Sequence, residues 1–315
     1  MSAGGGTRAV VAALLANSGI AVTKFLAWLL TGSSAMLAES VHSVADAGNQ
    51  GLLLLGGARA RRAATPLHPF GYGRERYIYA FIVSIVLFTV GGLFALYEAW
   101  HKFADPHPIT GWHWVPVLVL LVAIVMESAS LRTAVKESNA VRGRASWVGF
   151  VRRARSPELP VVLLEDVGAL LGLVFALVGV SLTLITGDGV WDAAGTAMIG
   201  LLLVSIAVVL AIETKSLLLG ESATADDQTA IEAALTGAGI DRIIHLKTMH
   251  LGPEELLVAA KVAVIPGASA AEVAEAIDAA EARVRAAVPT ARAIYLEPDI
   301  YSARRTPATP GPSSG

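Results

Sequence analysis

Five residues in the run AESVHSVADAGNQGLLLLG, residues 38–56, have side chains that bind ions: Glu39, His42, Asp46, Asn49 and Gln50. On a helix they fall at i, i+3, i+7, i+10 and i+11, one face of a 3.6-residue period. Val41, Val44, Ala45, Gly48, Leu52 and Leu55 make up the opposite face. His42 and Asp46, at i and i+4, project from the same side one turn apart. A neutral imidazole nitrogen converging with a carboxylate oxygen suits a borderline divalent cation such as Zn²⁺. Zinc prefers four ligands, so other helices must contribute. The alternative reading of the pair is a His–Asp ion pair that ties its helix to a neighbour.

The elements that must hold this stripe are apolar. Of 315 residues, 54% are hydrophobic and only 16% charged, and the mean hydropathy is +0.61. A soluble domain carries about a quarter charged residues, so the composition predicts an α-helical membrane protein with the lipid bilayer as its surroundings. There is no cysteine, which excludes disulfides and thiolate metal sites. A net charge of −2 gives no case for a nucleic-acid partner. Apolar windows place six transmembrane helices near 9–30, 35–57, 77–101, 113–135, 160–185 and 191–213. The opening MSAGGGTR, residues 1–8, is expected to be disordered and is too short for the n-region of a cleavable signal. The first apolar run is therefore read as a retained span.

Orientation follows from the basic residues. The loop between spans 2 and 3 holds Arg59, Arg61, Arg62, Arg74 and Arg76; that between spans 4 and 5 holds Arg142, Arg144, Arg152, Arg153 and Arg155. The opposite loops hold only Lys102, and the loop TGDGVWD between spans 5 and 6 is acidic. The positive-inside rule puts both termini in the cytoplasm, of a bacterial cell, since no organelle presequence is evident. Residues 214–300 change character. A short helix (DDQTAIEAALTGAG) and two strands joined at Gly252-Pro253 precede an amphipathic helix with a capping box at Ser269 and Glu272; a last strand, ARAIYLEP, follows. The order α-β-β-α-β predicts a small cytoplasmic α+β domain with its helices on one face of the sheet. The Pro- and Ser-rich tail, residues 301–315, is expected to be disordered.

An ionisable group at mid-membrane costs roughly 2.5–3.5 kcal/mol by insertion scales, so every one within a span needs a reason. Asp166, in the first turns of span 5, is the partner expected for His42 and Asp46. Glu165 is adjacent, and on a helix the two point about 100° apart, so one of them is expected to face a different neighbour. Glu39 and Glu98 lie near span ends, where an interfacial carboxylate is the competing reading. Glu127 is expected to pair with Lys24 or an arginine, and Asn17 to bond between helices.

At these residues the chain resembles the cation diffusion facilitator family. The stretch A-E-S-V-H-S-V-A-D-A-G-N-Q is similar to that family's second-helix signature, HPFGYGRERY (residues 68–77) to its H-P-[FY]-G-x-G-R segment, and LYEAW to an L-Y-E segment common there. The pattern L-E-D-x-x-A-L-L-G around Asp166 resembles the branch that includes the mitochondrial zinc exporter of animals. The resemblance implies a homodimer that exports divalent metal, mostly zinc, in exchange for protons, with no permanently bound cofactor. It also implies a metallochaperone-like C-terminal domain that drives dimerisation, and a four-residue transport site with two ligands from span 2 and two from span 5. His42 and Asp46 would be the first pair and Asp166 half of the second. Four residues before Asp166 stands Val162, so the resemblance leaves the fourth place to Glu165, Asn49 or water. In the C-terminal domain the resemblance puts Tyr295 where zinc-binding members have histidine and Lys261 near another such position, while His245 and His250 remain. Dimerisation is thus the firmer expectation there.

Metal binding needs the neutral imidazole and ionised carboxylates, so protons and metal compete for the same atoms. Zn²⁺ is favoured over Mn²⁺ by the imidazole, with Co²⁺, Ni²⁺ and Fe²⁺ as alternatives. A non-transporting dimer partner is the competing class, and it should have lost the span 2 stripe. A channel is disfavoured because a tight site holds an ion rather than passing it. An enzyme is disfavoured because neither a nucleotide-binding glycine loop nor a nucleophile with its base is evident. The expected outcome for His42→Ala or Asp46→Ala is loss of metal uptake into proteoliposomes under an imposed pH gradient; undiminished uptake in both would remove the assignment.

Overall fold

A computed structural model describes residues 18–106 and 114–301 of the chain. The expectations for the two termini, for the start of the first span and for Asn17 lie outside the described residues. The chain divides into two compact units. One runs to Arg62 and from Glu75 to Ser216, and the other takes Ala63–Arg74 and everything from Leu217 on.

The first unit is a bundle of helices: α1 (Ser18–Thr31), α2 (Ser34–Ala60), α3 (Glu75–Ala104), α4 (Trp114–Arg142), a short α5 (Trp147–Arg153), α6 (Glu158–Thr186) and α7 (Val190–Leu219). Among the described residues α3, α4, α6 and α7 are long and apolar enough to cross a membrane, each of 29 or 30 residues. At 1.5 Å per residue such a helix exceeds the roughly 30 Å hydrocarbon layer. The 27 residues of α2 are also long enough, but its polar stripe lowers its hydropathy. The short α5 lies where the sequence suggests only a loop.

Large apolar side chains fill the bundle's core, with Leu87, Leu120, Leu173, Ile199 and Leu203 all buried. Small residues let the helices approach. A Cβ on Gly179 of α6 would stand 2.8 Å from the Trp191 carbonyl oxygen and 3.2 Å from Gly195 Cα in α7, so these two backbones touch only because both positions are glycine. Within α3, residues Leu87–Leu93 form a π-helical segment, which periodicity does not reveal.

Asp192 corrects the sequence reading. It is not a loop acid: it sits in the first turn of α7 and is fully buried. Its carboxylate accepts hydrogen bonds from the Ser33 hydroxyl (2.8 Å), the Ser34 backbone amide (2.7 Å) and the Ser34 hydroxyl (3.1 Å). A helix N-terminus leaves amides unpaired and carries partial positive charge. A buried carboxylate from α7 thus closes the start of α2, the helix that bears the stripe.

The second unit contains α8 (Ala225–Leu235), β1 (Ile240–Gly252), β2 (Glu255–Val264), α9 (Ala270–Ala287) and β3 (Ala291–Asp299). The sheet order is β1-β2-β3, with β1 and β2 antiparallel and β2 and β3 parallel. The parallel pair needs a crossover, and α9 supplies it. Leu256, Val258, Ala260 and Val262 alternate along β2 and pack against Ile231 and Leu235 of α8 and Ala280 and Val284 of α9, so both helices cover one face. The capping box at Ser269 and Glu272 is present. Hydrogen bonds from the Ser269 amide, then its hydroxyl, hold the Glu272 carboxyl below the usual carboxylate range.

Asp192→Ala should destabilise the protein by about 3 kcal/mol, because two hydroxyls and an amide lose their acceptor in a buried place. Asp192→Asn, which keeps one acceptor oxygen, should cost about half as much. Thermal unfolding in detergent micelles measures both.

Candidate metal site

The polar stripe of α2 is buried, not wet. Glu39, His42 and Asn49 are at most 1% exposed, whereas Val44 on the opposite face is 59% exposed. This inverts the arrangement of a soluble amphipathic helix and is what lipid demands: the apolar face turns outward and the polar face inward. Each polar group must then find a partner within the bundle. Glu39 pairs with Lys24 of α1 at 2.9 Å, and the same ammonium donates to the Ser43 hydroxyl at 2.9 Å. Glu39 is therefore not an interfacial carboxylate, and Lys24 pairs with it rather than with Glu127. Gly172 of α6 leaves the space that Glu39 occupies, since a Cβ there would lie 2.6 Å from Glu39 Oε1.

One turn further along, His42 Nε2 lies 3.4 Å from Asp46 Oδ2. That is an ion-pair distance without hydrogen-bond geometry. Both imidazole nitrogens lack a hydrogen-bond partner among the described residues, as does Asp46 Oδ1. Buried polar atoms are seldom left so. Gly91, in the π-helical segment of α3, faces the other side of the ring, where a Cβ would be 3.9 Å from Nδ1.

Beyond Asp46 is a cavity of about 20 Å³, lined by Ser43, Asp46 and Gln50 of α2, Glu127 of α4, and Val162, Glu165 and Asp166 of α6. It has room for one water-sized species. Glu165 Oε1 accepts from Asn49 Nδ2 at 2.6 Å, while Asp166 Oδ2 accepts from the Ser130 hydroxyl of α4 at 3.1 Å. The neighbouring carboxylates do diverge, one towards α2 and one towards α4, yet both line the same cavity. Four carboxyl groups around so small a space form a receptacle for positive charge, whether metal ion or protons.

The structure brings Asp46, Glu165 and Asp166 together at this cavity and ties Asn49 to it through Glu165. His42 stands behind Asp46 and does not line it. Among the described residues no three His, Asp or Glu side chains converge to metal-binding distances. Val162 occupies the wall with an apolar surface, so the residue four before Asp166 supplies no donor. Glu127 and Ser130 are the members that the sequence reading did not place here. Their signal is faint: an acid and a hydroxyl three residues apart in an apolar helix. In the other unit, His245 is exposed and His250 buried, so the pair is not presented together. Lys261 is bonded to Glu297 at 2.9 Å and lies 3.0 Å from Asp299. These contacts, Glu297 first, raise its pKa.

A family model described as the cation efflux transmembrane domain matches residues 10–219. The human mitochondrial protein named proton-coupled zinc antiporter SLC30A9 is 34% identical over 248 residues, which are 78% of this chain and 44% of that protein. Metal tolerance protein C4 of Arabidopsis thaliana is 28% identical over 249 residues, 78% of this chain and 54% of that one. Zinc transporter ZitB of Pectobacterium atrosepticum is 31% identical over 119 residues, 38% of this chain and 36% of its own. The chain thus spans about half the length of the human and plant relatives.

Gly172→Ala should push the Glu39 carboxylate from its place and loosen its pairing with Lys24. The expected cost is about 1–3 kcal/mol, typical of overpacking, read from the thermal unfolding midpoint in micelles. Gly172→Ala in a Glu39→Gln, Lys24→Met background should cost less, since the ion pair is already absent.

Proposed function

The chain belongs to the cation efflux family, the cation diffusion facilitators, and from that premise we propose that it is a secondary transporter that carries a divalent metal ion, Zn²⁺ first, out across a membrane in exchange for protons. The observation that carries this reading is the carboxylate-lined cavity inside the bundle, walled in part by Asp46, Glu127, Glu165 and Asp166. Two relatives are named as zinc carriers and one of these as proton-coupled, which supports the choice of cargo and exchange.

In this reading six helices span the bilayer, α1 and α2 joining the four of membrane length, and the arginine-rich loops face the cytoplasm with both termini. The membrane is the bacterial cytoplasmic membrane. The soluble unit pairs two copies into a homodimer. Asp46 and Asp166 ligate the metal from opposite sides of the cavity, His42 supplies imidazole nitrogen after a small rotation of its ring past Asp46, and Glu165 or water fills the place that Val162 leaves. Asn49 holds Glu165 in position. Glu127 adds a fourth negative charge from α4. Metal and protons compete for these atoms, so loading on the cytoplasmic side expels protons and acid on the far side expels metal. Alternating exposure of one site then couples the two flows. The non-transporting alternative is weakened by the intact stripe and by the gathering of acids from three helices.

Transport of Zn²⁺, Mn²⁺, Co²⁺ and Fe²⁺ into proteoliposomes, with and without a pH gradient, tests the proposal. Wild-type Zn²⁺ uptake should follow the gradient, and apparent affinity should rise with pH as protons are withdrawn from the ligands. Asp166→Asn should lower uptake by at least about 10-fold, and Glu127→Gln by less. His42→Asp should admit Mn²⁺ if the imidazole is a ligand, and should weaken all metals alike if His42 only orients Asp46. Gradient-independent uptake, or full activity in Asp166→Asn, would overturn the reading.

A further inference from the structure

A larger cavity lies in the membrane unit, well separated in character from the carboxylates. Its volume is about 880 Å³, within the range of ligand pockets. Leu131 of α4, Trp147 and Val148 of α5, Leu164 of α6, and Val209 and Ile212 of α7 make its walls. Several of these are well exposed: Val148 by 69% and Ile212 by 60%. In a bundle read as membrane-spanning, an apolar groove this open faces lipid acyl chains.

The rim indicates which lipid. Among the residues lining the cavity only Arg152 and Glu213 are charged. Arg152 Nε lies 3.7 Å from Glu213 Oε1, yet its side chain remains 71% exposed. A guanidinium has five donors, so this distant contact leaves most of them available. The segment from Asn139 to Pro157 contains five arginines and no acid. Within it, α5 is a short amphipathic piece. Its N-cap Ser146 accepts from the Gly149 amide, Phe150 is buried against Ala134 and Leu163, and Trp147 and Val148 turn to the groove. The Arg142 guanidinium lies 4.2 Å over the Trp147 ring and fixes that wall. Tryptophan and arginine together at a helix end mark the level of lipid headgroups, and basic pockets between membrane helices receive anionic headgroups.

We propose that this groove binds one anionic phospholipid, with an acyl chain along Leu131, Leu164, Val209 and Ile212 and its phosphate at Arg152, next to Arg153. The site needs no metal and is independent of the transport reading. The lipid covers the open side of the groove that α4, α5, α6 and α7 leave.

Trp147 is a reporter inside the site. The full chain is reconstituted in phosphatidylcholine vesicles containing a minor fraction of brominated-acyl phosphatidylglycerol or, in parallel, brominated-acyl phosphatidylcholine. The Trp147 contribution is the fluorescence difference between wild type and Trp147→Phe. Brominated phosphatidylglycerol should quench it at a concentration about five-fold or more lower than brominated phosphatidylcholine. The double variant Arg152→Gln, Arg153→Gln should erase that preference, and Arg61→Gln, Arg62→Gln, which removes equal charge elsewhere, should keep it. Equal quenching by both lipids in the wild type overturns the proposal. So does a preference that survives the first double variant or disappears in the second. Quenching by neither lipid, with a dimer that dissociates when Arg152 and Arg153 are changed, would make the groove an interface between two copies.

Discussion

The cost of leaving a polar group without a partner inside a bilayer organises this structure. The helix α2 carries a full stripe of such groups, and the bundle supplies partners to several of them. Asp192 takes its first turn, Lys24 takes Glu39 and Ser43, and Asn49 takes Glu165. The matching stops at both imidazole nitrogens of His42 and at one oxygen each of Glu39, Asp46, Asn49 and Gln50. Unmatched donors and acceptors amid matched ones are where a protein retains binding capacity, because their desolvation has already been met by the fold and a ligand recovers it.

Much of this was legible in the amino-acid order. The 3.6-residue spacing of Glu39, His42, Asp46, Asn49 and Gln50 shows that they share a face, since period and face are local properties. The capping box at Ser269 and the turn at Gly252-Pro253 are equally local and are found where their residues stand. The partners were less legible. Asp192 reads as a loop acid because hydropathy scores a carboxylate without knowing that Ser33 and Ser34, nearly 160 positions earlier, will surround it. Glu127 and Lys24 likewise offer only a charge to the reader. Which acid meets the lysine is decided by the rotation of α1 and α4 about their axes, and Gly172 settles it in favour of Glu39 by giving that carboxylate room. Such choices are made by packing between elements distant in sequence.

The two cavities illustrate two solutions to the same environment. The small one is polar, the more enclosed of the two, and scaled to a single ion or water. The larger is apolar and open, with its charge confined to one rim. Both are bounded by α4 and α6. The acid-bearing turn Glu165–Asp166 has Leu163 and Leu164 immediately before it, and these side chains line the larger space. One helix thus presents an ionic surface and a greasy one in adjacent residues, which is why neither α4 nor α6 shows a simple amphipathic pattern.

The π-helical turn in α3 has a geometric consequence. Buried residues before it, Tyr77, Ala80 and Val83, and after it, Ala95 and Ala99, would lie roughly 90° apart on an unbroken helix of 3.6 residues per turn. One additional residue in the turn shifts the phase by about the same angle and brings both halves onto a common side. The segment therefore acts as a phase corrector: it lets a single rod of 30 residues keep one flank against its neighbours, although its two halves are written in different frames.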